Sequence, residues 1–263
     1  MVDDFFALTA MRYSGRGIAV GLTRDGKLFV GYSLTGRSPS SQARKLVYDG
    51  PSQTISTEVT DVEQLRKGNP ALLIYPAIKQ VRDKIVASNG LQTRLLHEVI
   101  DSTDLKQRQH PANILVDAFT VPRMNGQDEQ LIDLASYEPD PPNFTPRISA
   151  CVNENQRVAF CIIRKLYGCA EVSIHPLNLR PGTARIITTY KGGNESPLLP
   201  FEGSPLEASV FSTTAQDICR SIYEAIGPKG GDNFRVASAV MLRDRLGAGD
   251  TSVAIMNRYQ RDE

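Results

Sequence analysis

Glu138, Asp140, Asn143, Thr145 and Arg147 crowd two carboxylates, an amide, a hydroxyl and a guanidinium among Pro139, Pro141, Pro142 and Pro146. Each proline fixes its own φ and drives the preceding residue towards extended geometry, so the run is a stiff loop rather than a helix. Stiff loops that display polar groups are where function tends to sit. A carboxylate held in a partly dry loop can have its pKa raised, which makes Glu138 the candidate for proton transfer. Asp140 can orient Glu138 or Arg147. The plainer reading is that Glu138, Asp140 and Arg147 pair with one another and brace the loop.

Two more loops of this kind precede it. In Gly36-Arg37-Ser38-Pro39-Ser40-Ser41, Arg37 offers a planar fork of donors beside a backbone that can approach closely, which suits an anion. Arg16, Ser38, Ser40, Ser41 and Arg44 can add to the same anion site. A lone arginine is more often a solvated strand end; the setting of Arg37 favours the binding role. In Ser88 to Thr93, Asn89 and Gln92 each donate and accept, although Asn89-Gly90 is also simply a good turn.

The elements that must hold these loops are mostly strands. Arg16 to Leu22 and Lys27 to Leu34 flank Thr23-Arg24-Asp25-Gly26, and Asp-Gly is a strong hairpin signal with φ > 0 expected at both residues. Strands are also expected at Ala71 to Tyr75, Lys84 to Ser88, Thr145 to Val152, Arg157 to Lys165, Ala170 to Ile174, Ala184 to Tyr190, Phe234 to Leu242 and Thr251 to Tyr259. Helical spacing runs from about Thr93 to Ile100 and over Thr213 to Ile226, the latter capped by Ser212, Thr213 and Thr214. Ala112 to Phe119 reads as helix or strand. Residues 102–112 form a polar surface connection. Hairpins with few helices argue against a doubly wound parallel sheet and for α+β. With no repeat and no break in composition, residues 1–263 read as a single domain.

Composition excludes several classes. Thirty basic against 29 acidic residues leave a formal charge of +1, so neither a nucleic-acid surface nor a polybasic membrane anchor is expected. No run reaches 18 apolar residues, and Met1-Val2-Asp3 opens no signal peptide, so a cytoplasmic protein with no membrane partner is expected. Cys151, Cys161, Cys169 and Cys219 form no C-x-x-C pair and His97, His110 and His175 no H-x-x-x-H spacing, so no metal is expected. Cys151 and Cys161, in apolar strand-like runs, read as buried small hydrophobes. The same Met1-Val2-Asp3 start offers no N-terminal nucleophile.

Arg12-Tyr13-Ser14-Gly15-Arg16-Gly17, Gly36 to Ser41, Asn69-Pro70 with Ile74-Tyr75, Val86 to Gly90 with Gln92-Thr93, and the Glu138 to Arg147 loop together resemble the archaeal and bacterial IMP cyclohydrolase family. Arg180-Pro181-Gly182 and Thr188-Thr189-Tyr190 extend the similarity. The resemblance implies a four-layer αββα sandwich similar to N-terminal-nucleophile hydrolases. It implies closure of 5-formamidoimidazole-4-carboxamide ribonucleotide to IMP and water in purine synthesis, with no cofactor and with self-association plausible. Its implied catalytic residues are Glu138, Tyr75 as oxyanion donor, and Arg37. Its implied substrate contacts are Arg16, Ser38, Ser40, Arg44, Asn89, Gln92, Thr93, Asp140, Asn143, Thr145 and Arg147, with Arg37 on the phosphate.

The chain departs from the family pattern at four places, all expected inside the pocket. Gln42 stands where an arginine is common, Pro76 where Asn follows the strand tyrosine, and Leu91 and Arg94 where acidic residues are usual. Two other readings therefore stand beside the first: the same fold acting on a different nucleotide-like substrate, or a non-catalytic nucleotide-binding protein.

Overall fold

The computed structural model describes residues 4–67, 70–102, 110–120, 124–125, 132–244 and 251–259. Met1 to Asp3, Asn69 and the polar run 103–109 lie outside them. Along the chain come α1 (Phe6–Thr9), β1 (Arg16–Leu22), β2 (Leu28–Thr35), α2 (Pro39–Gln42), β3 (Arg44–Asp49), β4 (Thr54–Val59), α3 (Val62–Lys67), α4 (Pro70–Leu73), β5 (Pro76–Val81), β6 (Lys84–Ser88) and α5 (Gln92–Ser102). There follow α6 (Pro111–Phe119), the short β7 (Met124–Asn125) and β8 (Ile132–Asp133), then β9 (Arg147–Asn153), β10 (Arg157–Leu166), β11 (Cys169–Asn178), β12 (Thr183–Thr188), β13 (Leu206–Ser209), α7 (Ala215–Ala225), β14 (Arg235–Arg243) and β15 (Thr251–Asn257).

Two antiparallel sheets result, in the orders β13-β12-β1-β2-β14-β15 and β11-β10-β9-β6-β5-β4-β3. Period-2 alternation decides what each strand residue faces. Ile18 and Val20 of β1, Tyr32 of β2, Ile85 of β6 and Ile148 of β9 join one apolar cluster between the sheets. The opposite face of the first sheet, including Ala19, Phe29 and Val240, packs on α7 through Ile218 and Ile222. The opposite face of the second, including Val86, Cys151 and Cys161, packs under α5 and α6. Helix, sheet, sheet and helix are thus stacked as expected, an α+β sandwich. Each fully buried Val, Leu, Ile or Phe contributes about 1.5–3 kcal/mol. Gly31 on β2 makes room for the helix, since a Cβ there would stand 2.6 Å from Ile222 Cδ1.

Several local expectations are corrected. Ala71 to Tyr75 is not a strand: Pro70 opens the helical turn α4 and the strand begins only at Pro76, whose missing N–H is tolerated at a strand's first residue. Ala112 to Phe119 is helical, started by Pro111 in the first turn and by His110, whose side chain accepts a 3.2 Å bond from the Ala112 N–H. In the first hairpin only Gly26 takes positive φ (83°), while Thr23 N–H reaches Lys27 O at 2.9 Å. β3 and β4 were missed because their side chains alternate between the core and water without an apolar run. The free edges of β3 and β15 are joined by one side chain: Asn257 Oδ1 accepts from Leu46 N–H at 2.8 Å and Asn257 Nδ2 donates to Leu46 O at 3.0 Å.

Candidate active site

At one end of the sandwich β1, β3 and β9 begin and β2, β6 and β12 end, so the loops singled out from the sequence converge there. The Gly36 to Ser41 and Glu138 to Arg147 loops border a cavity of about 280 Å³ there, and the Ser88 to Thr93 loop does not reach it. Arg37, Ser38, Ser40, Arg16, Arg44, Asp140, Asn143 and Thr145 line it, eight of the fourteen residues expected at the site. Tyr13, Ser41, Leu72, Leu73, Tyr190 and Leu198 complete the wall.

Arg16 and Arg44 are the first residues of β1 and β3 and share faces with Ile18 and Leu46, so alternation points both between the sheets. Both are buried, with residue exposures of 9% and 2%. Among the described residues neither has a carboxylate within ion-pair distance. Arg44 donates to Ser41 O at 2.8 Å and Thr35 O at 3.3 Å. Arg16 makes one long side-chain bond, Nη2 to Asn89 O at 3.4 Å, and its Nε is buried without a partner. Burial lowers the pKa of Arg44, and Arg16 lowers it further although nearby tyrosines oppose it. Burial also pulls on Arg16, but four tyrosines led by Tyr75 outweigh it and the net direction is up. A phenol is ordinarily neutral at pH 7, where burial is what each cation feels and Arg44 also feels the charge of Arg16.

Arg37 is half-buried at the rim. Its Cζ lies 5.2 Å from the centre of the Tyr13 ring, and Nη1 makes long 3.4 Å bonds to Asn194 Oδ1 and Glu195 O. Ser38 caps the turn α2, exchanging bonds with Ser41. A Cβ on Gly36 would stand 2.5 Å from Ser41 O and 2.6 Å from Ser41 C, so only glycine lets this loop close on itself.

The proline-rich loop is held by Asp140. Thr145 N–H donates to Asp140 Oδ1 at 2.6 Å and the Thr145 hydroxyl to Oδ2 at 2.5 Å. Asn143 Oδ1 accepts from Leu198 N–H at 3.1 Å, tying the loop to the far wall. Tyr190 stacks on Tyr13, centroids 5.7 Å apart, and its hydroxyl lies 2.8 Å from Thr145 Oγ1. Burial pushes the Tyr190 pKa up to about 12.

Six expected residues do not line the cavity. Arg147 lies four residues from Cys151 and so on the same face of β9, the one towards the helices, and its guanidinium turns to that side. There it meets Glu138 at 2.6 Å, both side chains almost fully buried. Burial raises the Glu138 pKa against the pull of Arg147, and burial lowers that of Arg147. This is the bracing pair that the loop's composition also allowed. Gln92 and Thr93 sit on α5 in the same layer; Gln92 Oε1 is buried without a partner, and Thr93 Oγ1 lies 2.5 Å from Ser88 Oγ. The Asn89 amide is spent on the sheet ends, donating to Pro146 O and Thr189 Oγ1 and accepting from Ile148 N–H and Gln92 Nε2. Tyr75 is in the core between the sheets, its hydroxyl 3.1 Å from that of Tyr32, whose pKa burial raises.

The departures from the family pattern also fall elsewhere than expected. None of Gln42, Pro76, Leu91 and Arg94 lines the cavity. Gln42 Nε2 holds Gly36 O at 3.1 Å, Pro76 is buried at the start of β5, Leu91 packs against the cores on both faces of the second sheet, and Arg94 is exposed on α5. Tyr13 and Tyr190 were missed as wall residues although they stand in the quoted motifs; Leu72, Leu73 and Leu198 carried no signal.

Fold and site together define an α+β sandwich with a basic, anion-ready pocket at one end. A family model described as IMP cyclohydrolase-like protein matches residues 13–119. An IMP cyclohydrolase of Methanococcus aeolicus is 28% identical over 179 residues, 68% of this chain and 74% of the relative. That of Methanocaldococcus jannaschii is 30% identical over 145 residues, 55% and 58% of the two chains, and one of Methanococcus maripaludis 24% over 212 residues, 81% and 88%. The chain resembles the IMP cyclohydrolases. Among the described residues no helix is long and apolar enough to cross a membrane, and no three His, Cys, Asp or Glu side chains converge as metal ligands.

Proposed function

We propose that this protein is a cofactor-independent IMP cyclohydrolase, closing the second ring of 5-formamidoimidazole-4-carboxamide ribonucleotide with loss of water in cytoplasmic purine synthesis. The observation that carries the reading is the pair of buried arginines, Arg16 and Arg44, on the cavity wall, with no carboxylate within ion-pair distance of either among the described residues. A buried cation without a counter-ion is costly, and an anionic ligand is what offsets it. A phosphate at Arg16, Arg44 and the rim guanidinium of Arg37 gains charge-assisted, fork-shaped bonds.

The ring closure is intramolecular, so the protein's part is to hold the carboxamide against the formyl group and to manage protons. Glu138 stands off the cavity wall with its carboxylate on Arg147, so it is assigned to holding the proline-rich loop in place rather than to a proton transfer at the substrate. Tyr75 and Tyr32 support Arg16 and Arg44 from the core side, and Asn89, Gln92 and Thr93 fix the sheet ends behind the pocket. Residues 1–263 work as one domain, and self-association is compatible with this arrangement. Because the four departures lie off the cavity wall, the housekeeping substrate is preferred to an altered one.

The test is to incubate the purified protein with the formylated ribonucleotide and follow IMP by absorbance and chromatography. IMP formation lost in the Arg37→Ala, Glu138→Gln double variant is the expected result. Folded protein that forms no IMP would overturn the proposal, and a ligand-binding role would then follow if IMP still bound.

A further inference from the structure

Hydrogen-bond direction along the proline-rich loop fixes what Tyr190 can do. A carboxylate only accepts, and Asp140 receives the Thr145 N–H on Oδ1 and the Thr145 hydroxyl on Oδ2. The single proton of the Thr145 hydroxyl is therefore committed to Asp140. In the 2.8 Å contact between Thr145 Oγ1 and Tyr190 Oη, the tyrosine must then be the donor. With its proton spent on Thr145, Tyr190 offers the cavity lone pairs alone. Its ring is held on Tyr13, so the oxygen is fixed on the wall.

We infer that Tyr190, Thr145 and Asp140 form a proton relay that takes the proton off the attacking nitrogen; this rests on the cyclohydrolase reading above. As the carboxamide nitrogen's lone pair forms the C–N bond to the formyl carbon, the carbonyl π electrons move onto oxygen. The N–H electrons stay on nitrogen and its proton passes to Tyr190 Oη. The Tyr190 proton passes to Thr145 Oγ1, and the Thr145 proton to Asp140 Oδ2, which ends as the carboxylic acid. No free phenolate is formed, in keeping with a Tyr190 pKa near 12. The oxyanion needs two protons to leave as water: one is the carboxamide proton, returned from Asp140, and the other is the formamido N–H proton, released as the C=N bond forms, so Asp140 ends the cycle as the carboxylate again.

The relay is tested with Tyr190→Phe, Thr145→Val and Thr145→Ser in the IMP-forming assay, each variant's unfolding midpoint being measured alongside. Tyr190→Phe keeps the stacked ring and removes only the oxygen. General acid–base steps contribute roughly 100-fold or more, so kcat is expected to fall about that far in Tyr190→Phe and Thr145→Val with KM within about threefold. Thr145→Ser, which keeps the hydroxyl, is expected to recover most of kcat. If the wild type forms IMP and both oxygen-deleted variants keep kcat within about threefold, the relay is wrong and the cyclohydrolase reading stands. Recovery absent in Thr145→Ser would also overturn it. A wild type that forms no IMP overturns both readings together.

Discussion

Replacing Arg16 by methionine should make the ligand-free protein more stable and its ligand binding worse. The buried guanidinium makes one side-chain bond, at 3.4 Å, and leaves Nε unsatisfied. Such a bond contributes about 1 kcal/mol at most, whereas removing an ion from water costs several kcal/mol even after relaxation. Methionine is apolar, of similar length and adaptable, so a gain of about 1–3 kcal/mol is expected for Arg16→Met. In a chain of this size that corresponds to roughly 2–4 °C of Tm per kcal/mol. The lost charge-assisted contact to phosphate is about 1.5–3 kcal/mol, which weakens IMP binding roughly 10- to 150-fold. Urea unfolding with and without IMP, together with calorimetric titration, reads both quantities. An Arg16→Met protein that is less stable by more than about 1 kcal/mol and binds IMP as tightly as wild type would refute the reasoning.

Three further outcomes follow from the geometry. Gly36→Ala should displace the Gly36 to Ser41 loop, because its Cβ would meet Ser41 backbone at 2.5 Å; IMP affinity should drop at least about tenfold while the fold persists, and unchanged affinity would contradict the placement of Arg37 and Ser38. Cys169 is exposed, whereas Cys151, Cys161 and Cys219 are buried, with the Cys151 pKa pushed up to about 12. A thiol reagent should therefore label Cys169 fast and the other three only on unfolding. Burial raises the Glu138 pKa, so its folded form favours the proton. That contribution to stability is complete below the ordinary carboxylate pKa and is lost as pH rises through the raised value. Wild-type stability should fall relative to Glu138→Gln across that window, and a difference independent of pH would show that Glu138 titrates normally.

How far the sequence could be read differs between layers. The hairpins and α7 were legible because period 2 and period 3.6 are written in apolar residues, as in Ile18 and Val20 or Ile218 and Ile222. β3 and β4 were not, since a half-solvated edge pair such as Lys45 and Glu58 looks like a loop. The loops carrying Arg37 and Asp140 were recognisable from glycine and proline chemistry, and the fold brings them together. What sequence spacing does not reveal is the side of a sheet. Arg147 and Arg16 both begin strands, yet alternation sends one towards α5 and the other between the sheets. Asn89 shows a second limit: its amide was attractive for a ligand, but its donors and acceptor are taken up holding β9 and β12 together. Tyr190 was quoted only as part of a motif, because nothing local tells which way a hydroxyl donates.

The account depends on a phosphate reaching Arg16, Arg37 and Arg44 while the ring closes beside them. The most direct measurement is kcat/KM for the formylated imidazole carboxamide as its ribonucleotide and as its dephosphorylated riboside. Loss of charge-assisted bonds from three arginines predicts IMP formation from the ribonucleotide and at least a roughly hundredfold lower kcat/KM for the riboside. Equal values for the two, or no ring closure with either, would contradict it.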